Sequence, residues 1–256
     1  MDPVMLSPGP LEIRWYGLCF ALAFLFGQGY MQWRLKEDEQ KGRLVGALEH
    51  LDSLLIWIVV GTVLGARLGH CLFYDPDYYL SRPWEIPMVW QGGLASHGGL
   101  MGFLLSLSLF SKKKKVPFWP ILDRLAVPAA LGGALIRLGN FFNSEIVGTS
   151  SDLPWAVVFA RVDAVPRHPV QLYESLSYAA IALLLFVADR RGLAGKKHSG
   201  RLTGLFLVMA FSMRLFLELF KTSQASWISG FPLSMGQMLS LPVVMAGAFL
   251  LAKPRV

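Results

Sequence analysis

Seven apolar runs, most of them close to the length of a membrane span, divide this 256-residue chain. They cover about 15–33, 51–73, 94–110, 119–138, 170–188, 202–220 and 234–252, the third being the shortest. A helix needs roughly 20 apolar residues to cross the hydrocarbon of a bilayer. The strands of a membrane barrel would instead alternate apolar and polar residues in segments of about ten. These runs are continuous, so helices are expected. A water-soluble fold is excluded by the scarcity of charge: 16% of residues are charged and 54% are hydrophobic, with a mean hydropathy of +0.47, against roughly 25% charged in ordinary soluble domains. The expected fold class is an all-α integral membrane protein of about seven transmembrane helices. No linker or repeat divides the chain, so residues 1–256 are expected to form a single polytopic domain. Outer loops near 74–93 and 139–169 are long enough to cap a lipid-facing polar pocket.

Charge distribution sets the orientation. The loops after the first, third and fifth runs, with the tail, hold Arg34, Lys36, Lys41, Arg43, Lys112 to Lys115, Arg190, Arg191, Lys196, Lys197, Arg201, Lys253 and Arg255, fifteen of the 24 Lys and Arg. The opposite side holds Arg14, Arg82, Arg161, Arg167 and Lys221. The positive-inside rule then puts the N-terminus outside and the C-terminus in the cytoplasm. The first thirteen residues lack the basic n-region of a signal peptide, so the first run is expected to stay as a span. Trp15, Trp33, Trp84, Trp90, Trp119, Trp155 and Trp227 fall at run ends or in outer loops, as an interfacial belt requires, and only Trp57 lies within a run. The net charge of +7 is thus a loop property. No basic, aromatic-interleaved soluble face is present, so nucleic acid is not an expected partner.

Polar residues inside the runs carry the functional signal. An arginine at mid-membrane costs about 2.5–3.5 kcal/mol on insertion scales and is kept only with a partner or a task. Arg124 lies near the cytoplasmic end of its run and is expected to snorkel out, with Asp123 beside it. Arg67, Arg137 and Arg214 lie in the outer halves of their runs. Tyr16, His97, Asn140, Asn143, Glu145, His168, Gln171, Glu174 and Glu218 fall at the same level, from five different runs. Arg137, Asn140 and Asn143 share one helix face if the helix continues, and Arg214 and Glu218 are spaced to pair. Guanidinium matches phosphate oxygens and keeps its charge, so a lipid phosphate is the natural ligand of such a layer. His97 is the expected proton-transfer group, because imidazole titrates near neutrality. His50 and His198 fall on the cytoplasmic side, His70 lines or packs the outer end of the second run, and His168 is expected to fix a loop. Gly92, Gly93, Gly98, Gly99, Gly132, Gly133 and Gly139 allow close approach, most simply of another helix. Cys19 and Cys71 read as buried hydrophobes rather than a disulfide. No GxSxG, HExxH, P-loop or other metal-ligand set occurs, so neither metal nor cofactor is expected. These residues alone reach an outer-leaflet anion site and no reaction.

Motifs add a reaction. The stretch Gly133-Ala134-Leu135-Ile136-Arg137-Leu138-Gly139-Asn140-Phe141-Phe142-Asn143-Ser144-Glu145 resembles the signature of the bacterial prolipoprotein diacylglyceryl transferases. The resemblance continues in order through Arg14-Trp15-Tyr16-Gly17, Gly65-Ala66-Arg67-Leu68-Gly69, Gly92-Gly93, His97-Gly98-Gly99, Arg167-His168-Pro169 with Gln171-Leu172-Tyr173-Glu174, Arg214-Leu215-Phe216-Leu217-Glu218 and Ser234-Met235-Gly236-Gln237. It implies transfer of the diacylglyceryl group of phosphatidylglycerol to the lipobox cysteine thiol of a preprolipoprotein, with a thioether formed and glycerol phosphate released. Location in the bacterial cytoplasmic membrane follows, with phosphatidylglycerol, lipobox signal peptides and membrane lipids as partners. The resemblance gives His97, Arg137 and Arg214 catalytic places, and it puts Arg137, Tyr16, Arg67, Asn140, Asn143, Glu145, Gly148 and Glu218 in substrate binding and its support.

The chain departs from the family's pattern at a few positions. Ala210 stands where a tyrosine is usual, Val147 and Thr149 replace aromatic and basic residues, and Lys221 replaces an arginine. The rival reading is a phospholipid transporter or scramblase with an outer-leaflet headgroup site. A relay would need polar steps through both leaflets, and the inner halves of these runs have almost none.

Overall fold

Each of the seven apolar runs is a helix in the structure, a computed structural model that describes residues 2–9, 12–194, 200–222 and 234–252. Lys196, Lys197, His198, Trp227, Lys253 and Arg255, which entered the reading above, lie outside the described residues. A two-stranded hairpin, β1 (Val4–Leu6) with β2 (Ile13–Arg14), leads into α1 (Trp15–Gln40). There follow α2 (Leu51–Phe73), the short α3 (Pro76–Ser81), α4 (Ser96–Lys114) and α5 (Phe118–Asn143). A second hairpin, β3 (Val157–Val158) with β4 (Pro166–Arg167), precedes α6 (Val170–Arg190), α7 (Arg201–Leu217) and α8 (Met235–Ala252).

Among the described residues four helices are long and apolar enough to cross a membrane: α2, α5, α6 and the continuous Arg201–Phe220. The apolar stretch Gly236–Ala252 is shorter. Helices α1 and α4 dilute their hydropathy with polar ends, Lys-Glu-Asp-Glu-Gln and Lys-Lys-Lys. Those ends also explain the boundary differences. Helix propensity is high for Lys, Glu and Gln, so α1 continues to Gln40 although its apolar run stops near residue 33. Helix α4 stops after three lysines, which suit a helix C-terminus, at Lys115 with φ 55°.

Contacts divide the chain into two compact units, residues 1–34 with 122–256, and residues 35–121. In the first unit small and branched residues of α5 (Ala126, Val127, Ala130), α6 (Ile181, Ala182, Leu185) and α7 (Leu202, Ala210) form one buried cluster. Helices α7 and α8 meet at glycines: a Cβ on Gly204 would come within 2.8 Å of the Gly247 carbonyl oxygen. Where α1, α6 and the start of α5 meet, Asp189 is 2% exposed. Its carboxylate pairs with Arg34 Nε at 2.6 Å and with Arg124, and it accepts the Tyr30 hydroxyl at 2.6 Å. Arg124 therefore does not snorkel. It is 1% exposed, because a carboxylate within reach inside the bundle removes the reason to seek water. Asp123 has other work, accepting the Gly200 and Thr203 amides at 2.7 and 2.9 Å and the Thr203 hydroxyl at 2.7 Å. It thereby serves orphan donors at the start of α7.

In the second unit α2 and α4 pack backbone to backbone. Gly61, Gly65 and Gly69 recur every fourth residue on α2 and face Gly98 and Gly102 of α4; a Cβ on Gly98 would collide with the Gly65 carbonyl oxygen and lie 2.9 Å from the Gly69 Cα. This is small-residue packing of the kind membrane helices use, where lipid tails offer no hydrophobic contrast. The α2 repeat was readable at its spacing of four and went unnoticed beside the later glycines. Cys19 and Cys71 are buried free thiols.

Candidate active site

In the first unit the site is built at the last turn of α5 and the first turns of α6. Helix α5 continues through Arg137, Asn140 and Asn143, so the shared face expected from the spacing exists. Arg137 Nη1 reaches Asn140 Oδ1 at 3.4 Å. Beyond Asn143 the chain turns sharply, with Ser144 at φ 58° and Ile146 at φ 54°, a conformation that costs roughly 1–2 kcal/mol per residue without glycine. The turn brings Glu145 back over the helix end. Its carboxylate accepts Asn140 Nδ2 at 2.7 Å and Asn143 Nδ2 at 3.2 Å, and its amide donates to the Asn140 carbonyl at 3.0 Å. Gln171, fully buried on α6, donates to the Glu145 carbonyl at 2.6 Å.

An ion-pair chain runs through the same layer. The Glu174 carboxylate, nearly buried, meets Arg137 Nε at 3.1 Å and Lys221 Nζ at 2.8 Å. Lys221 lies 3.4 Å from Glu218, which also accepts the Ser234 hydroxyl at 3.1 Å. The expected Arg214–Glu218 pair is thus not made: Glu218 follows the end of α7 in a 3-10 turn, and that turn hands its carboxylate to Lys221. Arg214 Nε is buried and has no hydrogen-bond partner among the described residues. Tyr16 packs on Gly139, where a Cβ would sit 2.8 Å from the ring. Gly148 pairs with Lys221 in a β-bridge and takes Arg167 Nη1 on its carbonyl at 3.0 Å; a Cβ there would lie 2.7 Å from that of His168. His168 holds the loop as expected, its Nδ1 3.2 Å from the Tyr173 hydroxyl. In the same loop the Arg167 guanidinium, 2.5 Å from Asp163, holds that carboxyl below the usual carboxylate range.

Two expected site residues belong to the second unit. His97 is the second residue of α4 and is exposed, without a hydrogen bond or ion pair to any described residue. Arg67 is 2% exposed and turned into its own loop. Its Nε donates to the Ile86 carbonyl at 2.8 Å, Nη1 to Gly92 at 2.6 Å and to Gly93, and Nη2 to Glu85 at 2.7 Å, with the Tyr79 ring 4.9 Å away. A guanidinium so committed holds the 85–93 segment.

The family model described as prolipoprotein diacylglyceryl transferase matches residues 3–253. The chain belongs to the prolipoprotein diacylglyceryl transferase family. It is 49% identical over 251 residues to the phosphatidylglycerol–prolipoprotein diacylglyceryl transferase of Tolumonas auensis, covering 98% of this chain and 94% of the relative. The proteins of the same name from Chloroherpeton thalassium and Porphyromonas gingivalis are 49% and 40% identical, each over 98% of this chain and 91% and 92% of their own lengths. Of the positions expected to depart from the family pattern, Lys221 bridges Glu174 and Glu218, and Ala210 is buried one turn before Arg214. Sequence reasoning put Glu174 in the polar layer and Lys221 at a family arginine position, but joined neither to Arg137. Each is 37 or more positions from Arg137, and only the packing of α6 and the end of α7 against α5 joins them.

Proposed function

We propose that this chain transfers the diacylglyceryl group of phosphatidylglycerol to the lipobox cysteine thiol of preprolipoproteins, the first step of lipoprotein maturation. The cysteine Sγ attacks the glyceryl carbon that bears the phosphate. A carbon–sulfur bond forms, the carbon–oxygen bond breaks, and its electrons leave on glycerol phosphate. The observation that carries the reading is Arg214, a cation whose shielded Nε no described residue accepts, beside the neutral chain of Arg137, Glu174, Lys221 and Glu218. A lipid phosphate supplies the missing charge, and fixed cations stabilise the leaving phosphate more as its charge grows. Arg137 presents its remaining nitrogens to the same phosphate. Asn140, Asn143 and Glu145 hold Arg137 from the rim, while Tyr16 and Gly148 shape it. His97 takes the thiol proton, since the thiolate is the nucleophile and free cysteine is mostly protonated at neutral pH.

The same reading makes all seven helices spans, in one membrane domain of the bacterial cytoplasmic membrane, with the N-terminus outside and the arginine layer toward the outer leaflet. The test is the mass shift of a lipobox peptide incubated with the protein and phosphatidylglycerol, with phosphatidylethanolamine as the control lipid. Transfer is expected only with phosphatidylglycerol and is lost in Arg137→Ala, Arg214→Ala and His97→Ala. Normal transfer by Arg137→Ala would refute the phosphate clamp, and no shift with either lipid would refute the activity.

A further inference from the structure

Three helices of the first unit repeat one pattern around the arginine layer. Each carries a site residue and, four positions away, a residue of a second layer: Arg137 and Gly133 on α5, Glu174 and Tyr178 on α6, Arg214 and Ala210 on α7. Residues four apart lie on the same helix face. The second layer therefore holds one large side chain between two of the smallest. Tyr178 lies against Gly133, where a Cβ would be 3.2 Å from its ring carbons, and it packs on the cluster that contains Ala210. One position from Gly133, the Ala134 carbonyl accepts the Ser175 hydroxyl at 2.8 Å, so α5 and α6 are in direct contact at this level.

Helix geometry directs the phenol toward the charged layer. Helical side chains lean toward the N-terminus of their own helix. Tyr178 thus leans toward Glu174, while Arg137 and Arg214 lean back toward the turns of Gly133 and Ala210. Its hydroxyl is within electrostatic range of Arg137, Glu174 and Arg214, and among the described residues it has no hydrogen-bond partner. A half-buried phenol one turn from Glu174 and within electrostatic range of two guanidiniums can meet an anion they hold.

The chemistry says why a neutral donor is needed there. The phosphodiester of the lipid carries one negative charge, and the departing glycerol phosphate is a monoester that approaches two, its second pKa being about 6. The ion-pair chain is neutral, so Arg214 matches only the first charge. We propose that Tyr178 is a further substrate-contacting residue, its hydroxyl donating to a phosphate oxygen between Arg137 and Arg214 and stabilising the second charge as the carbon–oxygen bond breaks. The proposal rests on the transferase reading above. It also gives the site a hydroxyl at a level where Ala210 provides none.

Tyr178→Phe keeps the ring on Gly133 and removes only the oxygen. In the peptide mass-shift assay, with phosphatidylglycerol concentration varied, kcat is expected to fall about 10- to 100-fold, the worth of one hydrogen bond to a charged group. The KM for the lipid should change less than about threefold, because the bond strengthens mainly as charge develops. The thermal midpoint of the purified protein should hold within a degree or so. An unchanged kcat overturns the proposal. So does a loss seen only in KM, or one that accompanies a lowered midpoint, since either marks a packing role. Wild-type protein that transfers nothing from phosphatidylglycerol would instead sink the transferase reading itself, whereas an active wild type with an equally active Tyr178→Phe sinks this inference alone.

Discussion

Replacing Asp189 by asparagine separates what holds the first unit together from what acts in it. Asp189 is buried between Arg34 and Arg124 and accepts the Tyr30 hydroxyl. The amide keeps the volume and one acceptor oxygen but removes the charge that two guanidiniums face. Breaking a buried pair by removing one partner costs about 3–5 kcal/mol. The Tyr30 bond, charge-assisted in the native protein and worth about 1.5–3 kcal/mol, survives only in weaker form. These effects share one carboxylate and do not add, so the expected loss is about 4 kcal/mol. At roughly 2–4 °C per kcal/mol, the thermal midpoint should fall by about 10 °C. The measurement is tryptophan fluorescence against temperature in detergent, paired with transfer activity per folded molecule at a temperature where the variant remains folded. Tyr30→Phe should lose less than half as much stability. Activity per folded molecule should stay near wild type in both variants, because none of these groups takes part in the Arg137–Glu174–Lys221–Glu218 chain. A midpoint within 1 °C of wild type would refute the claim that Asp189 is a buried counter-ion, and an inactive but folded variant would refute the separation.

Three other perturbations test local arguments. Arg67→Lys keeps the charge but cannot span four carbonyls with a rigid fork; proteolysis within the 85–93 segment should accelerate, and equal resistance in the two proteins would show that Arg67 does not hold it. Gly98→Leu forces a side chain into the Gly65 backbone and should cost about 1–3 kcal/mol or more by overpacking, read as a lower thermal midpoint, whereas Gly92→Leu has no neighbouring atom to strike, although its φ of 86° adds backbone strain. Asp163 titrates below its unfolded value because of Arg167, so its contribution to loop order is present above about pH 4 and is lost as pH falls through the folded value. The protection of amides 157–167, measured against intrinsic exchange at each pH, should therefore fall on acidification in wild type and be low already at neutral pH in Asp163→Asn.

The sequence carried the helices because hydrophobic length is a local property. Each of the seven apolar runs can be counted without knowing its neighbours, and the face shared by Arg137, Asn140 and Asn143 follows from helix geometry alone. Partnership is different. Arg214 with Glu218, and Arg124 with snorkelling, were reasoned from residues on one helix, and both failed. The carboxylate that Arg124 meets lies on α6 and the cation that Glu218 meets lies past the end of α7, and spacing along the chain holds no trace of either. Arg67 shows the same limit. Its depth marked it as costly, which was correct, but the task it performs is to hold carbonyls 18 to 26 residues further on, a contact set by the fold of the 74–93 loop.

Depth alone therefore does not distinguish a structural arginine from a functional one, and the pairing does. Arg34 and Arg124 each have the Asp189 carboxylate in contact, and Arg67 has four carbonyls. In each case the protein itself meets the cost of removing a guanidinium from water. Arg137 is half met, by Glu174, which Lys221 shares. Arg214 is half-buried, its Nε is shielded and no described residue accepts it, and a cation so placed favours an anion from outside the protein. On the proposed transferase reading that anion is the lipid phosphate, and the cost of the unmet charge would become affinity for it. On this argument Arg214→Met, which removes the unmet charge and keeps the volume, should raise the thermal midpoint of lipid-free protein while abolishing transfer. Stability and activity would then move in opposite directions at Arg214 and independently at Asp189, and a lowered midpoint in lipid-free Arg214→Met would show that its charge is satisfied within the protein after all.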